Sequence, residues 1–546
     1  MNRQFLTTLM LFLIIITGYN QFVVLPRERA AKLAAEEQLK AKEAREENEK
    51  AALLSGTRLY KEKPAPKPEE LTTLSLPQAD VTFSSKGAGI KTYLFKDGKT
   101  DVDLTPYPGP GYFTTMPDVD FAETSRTQNS ITFEGEIIPG LRVIKEYTFE
   151  DNGINHLSLS VQNNTAEEIP VAPWSWNFGP GLATVKSEMS DNERESKAVY
   201  LVQEAGKKKP TLETFTKTSK QPSLPWTWAG VENRYFLAVL IPQGWQPGLL
   251  SADKVNIGTQ KRMWGLFGES ELTGPQLTVG VAGARLNPGE KQVYESDFYF
   301  GPKDYTAFLN LPYNLDRSIA FGFFGALGKI ARKVLEVFYG WTGNYGVAII
   351  LITICLQVLL FRLTLMQYKS QAQMQKLQPE IQRIQDKYKD NPQAMNQAVM
   401  EFYQKRGINP LAGCLPMFIP LMIQMPIFIA LLNTLRTSWS LHGAKFAGWI
   451  TDLSAKDPYY ILPLLMGGAM YLQQRKSMSG AAANSPQMAM FKYMPLFFTL
   501  ICLNFPSGLV LYWFTNSLLM FGVQLLVNRK LEKEKVQPKV KKVNAK

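Results

Sequence analysis

Two membrane-length apolar runs enclose a polar, helix-periodic stretch in the second half of the chain. Residues 345–365 and 411–432 each hold about 20 residues, enough at 1.5 Å per residue to cross a ~30 Å hydrocarbon core. Between them Met374, Leu377, Ile381, Ile384 and Tyr388 recur at helical spacing to form one stripe. Met395, Val399, Phe402 and Tyr403 form a second, and Asp390-Asn391-Pro392 turns the chain between the two. A helical hairpin over 366–408 is predicted; the competing reading is an ordinary loop between spans. Polar residues interrupt both runs: Thr353 and Gln357 in the first, Gln424 and Asn433 in the second. At membrane depth such groups face a wet cavity or bond one another across helices.

Further apolar segments lie at 5–24, 459–472, 488–503 and 509–527. The first follows Arg3 and precedes Arg27-Glu28-Arg29 rather than a small-residue cleavage site, so 1–25 reads as an uncleaved anchor over a cleaved signal peptide. Residues 459–472 reach only about 21 Å as a helix, and Lys492 intrudes on the next segment. Pro416, Pro420, Pro426, Pro463 and Pro495 each remove a backbone donor.

The pattern changes upstream. Residues 26–69 are an Ala/Glu/Lys/Arg spacer closed by a Pro-rich linker. From 70 to 312 apolar and polar residues alternate. Arg142-Val-Ile-Lys-Glu-Tyr-Thr-Phe, the turn Asn152-Gly153 and His156-Leu-Ser-Leu-Ser-Val predict a β-hairpin, Asp97-Gly98 a second, and 234–241 a buried strand. Together they predict a large β-sandwich domain. Residues 316–340 hold an amphipathic helix, with Phe323, Phe324, Leu327, Ile330, Val334 and Phe338 on one face and Lys329, Arg332, Lys333 and Glu336 on the other. It lies along the bilayer surface or, alternatively, packs on the β-domain.

Charge sets the orientation. The net charge is +12, and the hairpin, residues 473–492 and the tail 531–546 are basic. Basic loops stay in the cytoplasm, so six spans place both termini inside and the β-domain outside. Arg383, Lys387, Lys389, Arg475, Lys476, Arg529, Lys530, Lys541 and Lys542 are candidate contacts to ribosomal RNA or to anionic lipid. Cys355, Cys414 and Cys502 all fall in apolar segments, and His156 and His442 are isolated. Phosphate-loop, HExxH, GxSxG and metal-ligand patterns are missing, so no catalytic residue, metal or cofactor is expected, and the protein is read as not an enzyme.

Four motifs carry a dense resemblance over 345–530. Asn409-Pro-Leu-Ala-Gly-Cys-Leu-Pro, Ile423-Gln-Met-Pro-Ile-Phe, Asp452-Leu-Ser-Ala-Lys-Asp-Pro-Tyr-Tyr-Ile-Leu-Pro and Phe505-Pro-Ser-Gly-Leu-Val-Leu-Tyr are similar to those of the YidC/Oxa/Alb membrane protein insertases. Over 1–340 only the architecture resembles the Gram-negative YidC form. The resemblance implies a polytopic α-helical inner-membrane protein, five spans of the region 341–530 forming a groove open to cytoplasm and lipid, with a periplasmic β-domain. It implies insertion of nascent membrane proteins, alone or beside the Sec translocon (SecYEG, SecDF), often with a ribosome and among membrane lipids; DNA is not an implied partner.

Aligned on the motifs, Thr353 falls at a substrate-contact position of the family, and Trp513, after Tyr512, falls where the family often has an aromatic. Gln357 stands where bacterial members usually carry a basic residue, and Arg362 where they often have proline. Four extra residues near Met417–Pro420, about one helical turn, are expected to extend the 411–432 span that contains them. The expected groove is lined by Thr353, Gln357, Gln424, Asn433, Tyr512 and Trp513, with Arg362 at its cytoplasmic mouth. Two rivals remain: a small-solute transporter or channel, and an anchored envelope glycan binder centred on Trp174, Trp176, Trp226 and Trp228.

Overall fold

A computed structural model describes residues 68–98, 101–151, 153–185, 188–203, 209–215, 219–220, 225–261, 269–388, 391–405, 424–477 and 493–533. The chain divides into two compact units, one ending at Ile319 and one running from Ala320. The expected first span, the spacer and residues 531–546 beyond Lys533 lie outside the described residues, as do Cys414 and Met417–Pro420.

The first unit is antiparallel β. Its largest sheet runs Thr211–Thr214, Lys197–Val202, Trp226–Glu232, Phe236–Gln243, Lys291–Pro302, Asn155–Asn163, Leu141–Thr148, Ser130–Ile138 and Ala122–Arg126. The predicted hairpin sits inside it, with Tyr147 opposite Leu157 and Gly153 at φ +89° turning the chain. Phe236–Gln243 is the buried strand expected at 234–241. A four-stranded sheet, Leu71–Ser75, Ala79–Ser84, Ile90–Phe95 and Val102–Asp103, pairs Phe95 with Val102 around Gly98. Phe83 meets Tyr147 at 4.9 Å and Tyr93 stacks on Phe300 at 4.3 Å, so this sheet faces the large one across an aromatic core. Trp176 and Trp228 are wholly buried in that unit, and Trp174 is nearly so. A sugar-binding platform of these tryptophans therefore has no exposed face at Trp176 or Trp228.

One core position is a charge-bearing residue. Alternation turns Val143, Lys145 and Tyr147 inward, and Lys145 is 0% exposed. Its Nζ donates to the carbonyls of Gly87 (3.0 Å) and Phe113 and lies 5.1 Å from the centre of the Trp176 ring. Phe113 and neighbouring Ala88 and Met116 all have left-handed φ, at 57°, 45° and 45°. Non-glycine residues at such angles are strained, and the lysine amine is one of the groups that hold this backbone.

The second unit is helical. We number its helices α1 (Gly325–Thr342), α2 (Tyr345–Lys387), α3 (Pro392–Lys405), α4 (424–436), α5 (Ile461–Ser477), α6 (Met494–Cys502) and α7 (Ser507–Lys533). Gly343 ends α1 at φ +64°, and the Asn344 side chain caps α2 by accepting from the amides of Gly346 and Val347. The apolar run 345–365 and the first arm of the hairpin form one 43-residue helix that carries Pro379 inside it. Ile381 is buried, Leu377, Ile384, Tyr388, Met395, Val399 and Phe402 are partly covered, and the two helices are in contact; the side chains of Met374 and Tyr403 lie outside the described residues. Among the described residues Tyr345–Lys369 and Ser507–Arg529 are long and apolar enough to cross a membrane.

The two-faced reading of α1 needs correction. Arg332, expected on the polar face, is 5% exposed; it bonds Ser438 and Ser440 (3.0 Å) and pairs with Glu336 at 2.7 Å. The helix has three faces. Gly328, Arg332 and Leu335 pack inward, Leu327, Ile330, Val337 and Trp341 form an exposed apolar stripe that Phe323 extends just before the helix, and Lys329 and Lys333 lie between. The apolar core of the unit gathers where α2, α5 and α7 begin: Ala348, Ile349, Leu453, Met466, Leu509 and Leu511.

Candidate functional site

The first and last described membrane-length helices, α2 and α7, lie side by side, and their polar residues meet. Tyr512 and Asn516 stand one turn apart on α7, so they share a face. Gln424 of α4 donates through Nε2 to the Tyr512 hydroxyl at 2.8 Å. Gln357 of α2 donates to Oδ1 of Asn516. Two neutral cross-helix pairs thus line one edge of α7, with no formal charge in either. Asn516 and Tyr512 are buried, whereas both glutamines are partly exposed.

The remaining expected residues divide. Trp513 lies between Phe428 and Phe498, each ring centre 4.6 Å away, next to the polar pairs. Thr353 is on α2 but wholly buried, and its hydroxyl donates to the Ile349 carbonyl at 2.6 Å. In this arrangement it satisfies itself on its own helix and lines no open surface. Asn433 is not brought to the group at all: its Nδ2 donates to the Phe321 carbonyl at 3.1 Å and ties α4 to the start of α1. Arg362 is exposed on α2, about 7.5 Å further along the helix than Gln357.

Arg383, Lys387, Arg475 and Arg529 are exposed on α2, α5 and α7. Lys389, Lys541 and Lys542 lie outside the described residues, as do the side chains of Lys476 and Lys530. Among the described residues no group of His, Cys, Asp and Glu is arranged to hold a metal.

Asn516 was not among the expected residues, nor were Gln473 and Tyr368, which bond at 3.0 Å between α5 and α2. The signal was present: Tyr512, Asn516 and Gln524 recur at multiples of four within an apolar helix. Two resemblance motifs also meet. Gly508 N donates to Leu453 O at 2.8 Å and Ser507 N to Ala455 O at 2.7 Å, while Asp457 accepts from the Leu462 amide at the head of α5. These motif residues thus splice the α4–α5 connection to the start of α7.

Comparison with known proteins gives the family. Residues 337–545 match the family model described as 60Kd inner membrane protein, and residues 78–331 match the YidC periplasmic domain. A membrane protein insertase YidC from Endomicrobium trichonymphae is 34% identical over 85% of this chain and 86% of its own length. Another from Geobacter sulfurreducens is 32% identical over 83% of this chain and 85% of its own. A crystal structure of an active YidC insertase with its first transmembrane domain resolved aligns over 84% of this chain and 93% of its own, with 18% identity and a TM-score of 0.38. This chain belongs to the YidC family of membrane protein insertases.

Proposed function

We propose that the chain inserts nascent membrane proteins by offering their polar segments a face of neutral amides and hydroxyls at membrane depth, in place of a fixed positive charge. The carrying observation is the pairing of Gln357 with Asn516 and of Gln424 with Tyr512 along one edge of α7. A charged side chain at the bilayer centre costs roughly 2.5–3.5 kcal/mol on insertion scales. A neutral hydrogen bond contributes only about 1 kcal/mol net. Parting the two pairs therefore costs less than leaving a client's charge in hydrocarbon. Each freed amide supplies two donors and an acceptor to water or to the client backbone. The client's apolar segment then moves sideways into lipid, driven by burial at ~25 cal/mol per Å².

In this reading six spans (5–24, 345–365, 411–432, 459–472, 488–503 and 509–527) leave both termini in the cytoplasm and the β-unit in the periplasm, as the basic hairpin and tail require. Arg383, Lys387, Lys389, Arg475, Lys476, Arg529, Lys530, Lys541 and Lys542 then face the ribosome that delivers the client, and the Sec translocon is a second partner. A photo-crosslinker placed at Gln357 or Gln424 should capture a stalled nascent chain, and one at Asn433 should not. Equal capture from all three positions, or none from the first two, rejects the assignment.

A further inference from the structure

An apolar cleft of about 490 Å³ opens between α2, α5, α7 and the connection before α5, away from the polar pairs. Ile450, Leu462 and Leu511 are its buried floor, at 4%, 4% and 3% exposure. Ile354, Leu465 and Leu518 form its exposed rim, at 38%, 47% and 46%. The rim is continuous with the apolar surface that α2 and α7 present along their membrane-length stretches, where Val358 and Leu359 are 71% and 77% exposed.

We infer that this cleft is a binding site for one acyl chain of a membrane phospholipid. Three physical arguments select that occupant. Water is excluded as a stable filling, because a bound water needs two to four polar partners and this wall is almost wholly aliphatic and aromatic. An unfilled cleft forfeits the dispersion contacts of its lining, and the solvent at its mouth is hydrocarbon. A client's transmembrane helix does not fit inside it, since a cylinder about 10 Å wide and 30 Å long occupies roughly 2,400 Å³, more than twice even the cleft's full empty space of about 1010 Å³. A single tail entering past Leu465 and Leu518 meets none of these objections. Trp449, at the wall formed by residues 446–450, belongs to the residue type that sits at the headgroup level of membrane proteins. The occupant's headgroup therefore rests beside that connection.

The test uses the full chain in nanodiscs containing a phospholipid with a mid-chain diazirine, with labelled residues mapped by mass spectrometry. Labelling at Ile354, Leu465 and Leu518 is expected to exceed that at Leu359 by at least fivefold. Ala447→Trp, at an exposed lining position, fills the cleft and should cut the labelling at least threefold while leaving Leu359 unchanged. Leu518→Ala widens the mouth, a second variant that should keep or raise labelling at Leu465. Labelling no higher in the cleft than at Leu359, or indifferent to Ala447→Trp, overturns the inference.

Discussion

Replacing Lys145 by methionine separates the two things this residue does. Burial with no carboxylate beside it holds the amine well below the usual lysine range, which favours its neutral form in the folded state. A neutral amine has two N–H groups, and the carbonyls of Gly87 and Phe113 take both. The unfolded chain binds one more proton than the folded chain at every pH between that depressed folded value and about 10.4. Stability therefore rises with pH across this window, by about 1.4 kcal/mol per unit. Methionine keeps the volume and removes the titration, but it orphans two buried carbonyls at about 1–3 kcal/mol each. The variant's stability relative to wild type should thus worsen as pH rises through this window, with the cost of the two carbonyls as a constant offset. Urea melts of residues 68–319, a unit with its own core, measure both terms. Parallel pH profiles for the two proteins would refute the neutral-amine argument.

Other outcomes follow from single contacts. Gln357→Leu should impair insertion of a short-leader client in a depletion-rescue assay, while Arg362→Gln should have the milder effect; the reverse order would make Arg362 the working group. Arg332→Met removes the bonds to Ser438, Ser440 and Glu336 and should destabilise the helical unit by about 2–3 kcal/mol, below the buried-pair range because Glu336 keeps solvent contact. Thermal melting in detergent should fall accordingly. A Cβ at Gly467 would lie 2.1 Å from Oγ1 of Thr499, so Gly467→Ala should lower melting and Thr499→Ala should restore most of it; failure of the rescue refutes that contact. Removing residues 531–546 should weaken ribosome co-sedimentation and flatten its salt dependence, and an unchanged salt profile would remove the tail from that role.

What local pattern controls was legible in the sequence. The Leu141–Thr148 and Asn155–Asn163 hairpin follows from period-two alternation around a glycine turn, and the α2–α3 pair from two helical stripes around an Asx-Pro turn. Gln357, Gln424 and Tyr512 stood out because polar groups in apolar runs are costly to leave unpaired. Asn516 was hidden between Thr515 and Ser517, where the local sequence reads as a polar break rather than as one face of α7. Lys145 lay in plain view, since its parity with Val143 and Tyr147 turns it inward, yet residue type argued for the surface. Arg332 was misassigned for a different reason. Its partners Ser438 and Ser440 are more than a hundred positions away, and no periodicity within α1 announces a third face.

The unbroken helix α2 has a mechanical consequence. Its 43 residues make a rod about 65 Å long, of which Tyr345–Lys369 is long and apolar enough to cross a membrane. Such a rod works as a lever whose fulcrum is the bilayer and whose long arm carries the α3 hairpin. A tilt of 10° about the edge of the bilayer moves the far end of the projecting half, about 32 Å long, by about 6 Å. A load applied at the tip is therefore delivered as torque to the turn that carries Gln357. Compliance is concentrated at Pro379, about 51 Å from the start, where one backbone hydrogen bond is missing. Bending there relieves only the outermost turns, and the stretch between fulcrum and proline transmits force as a stiff shaft.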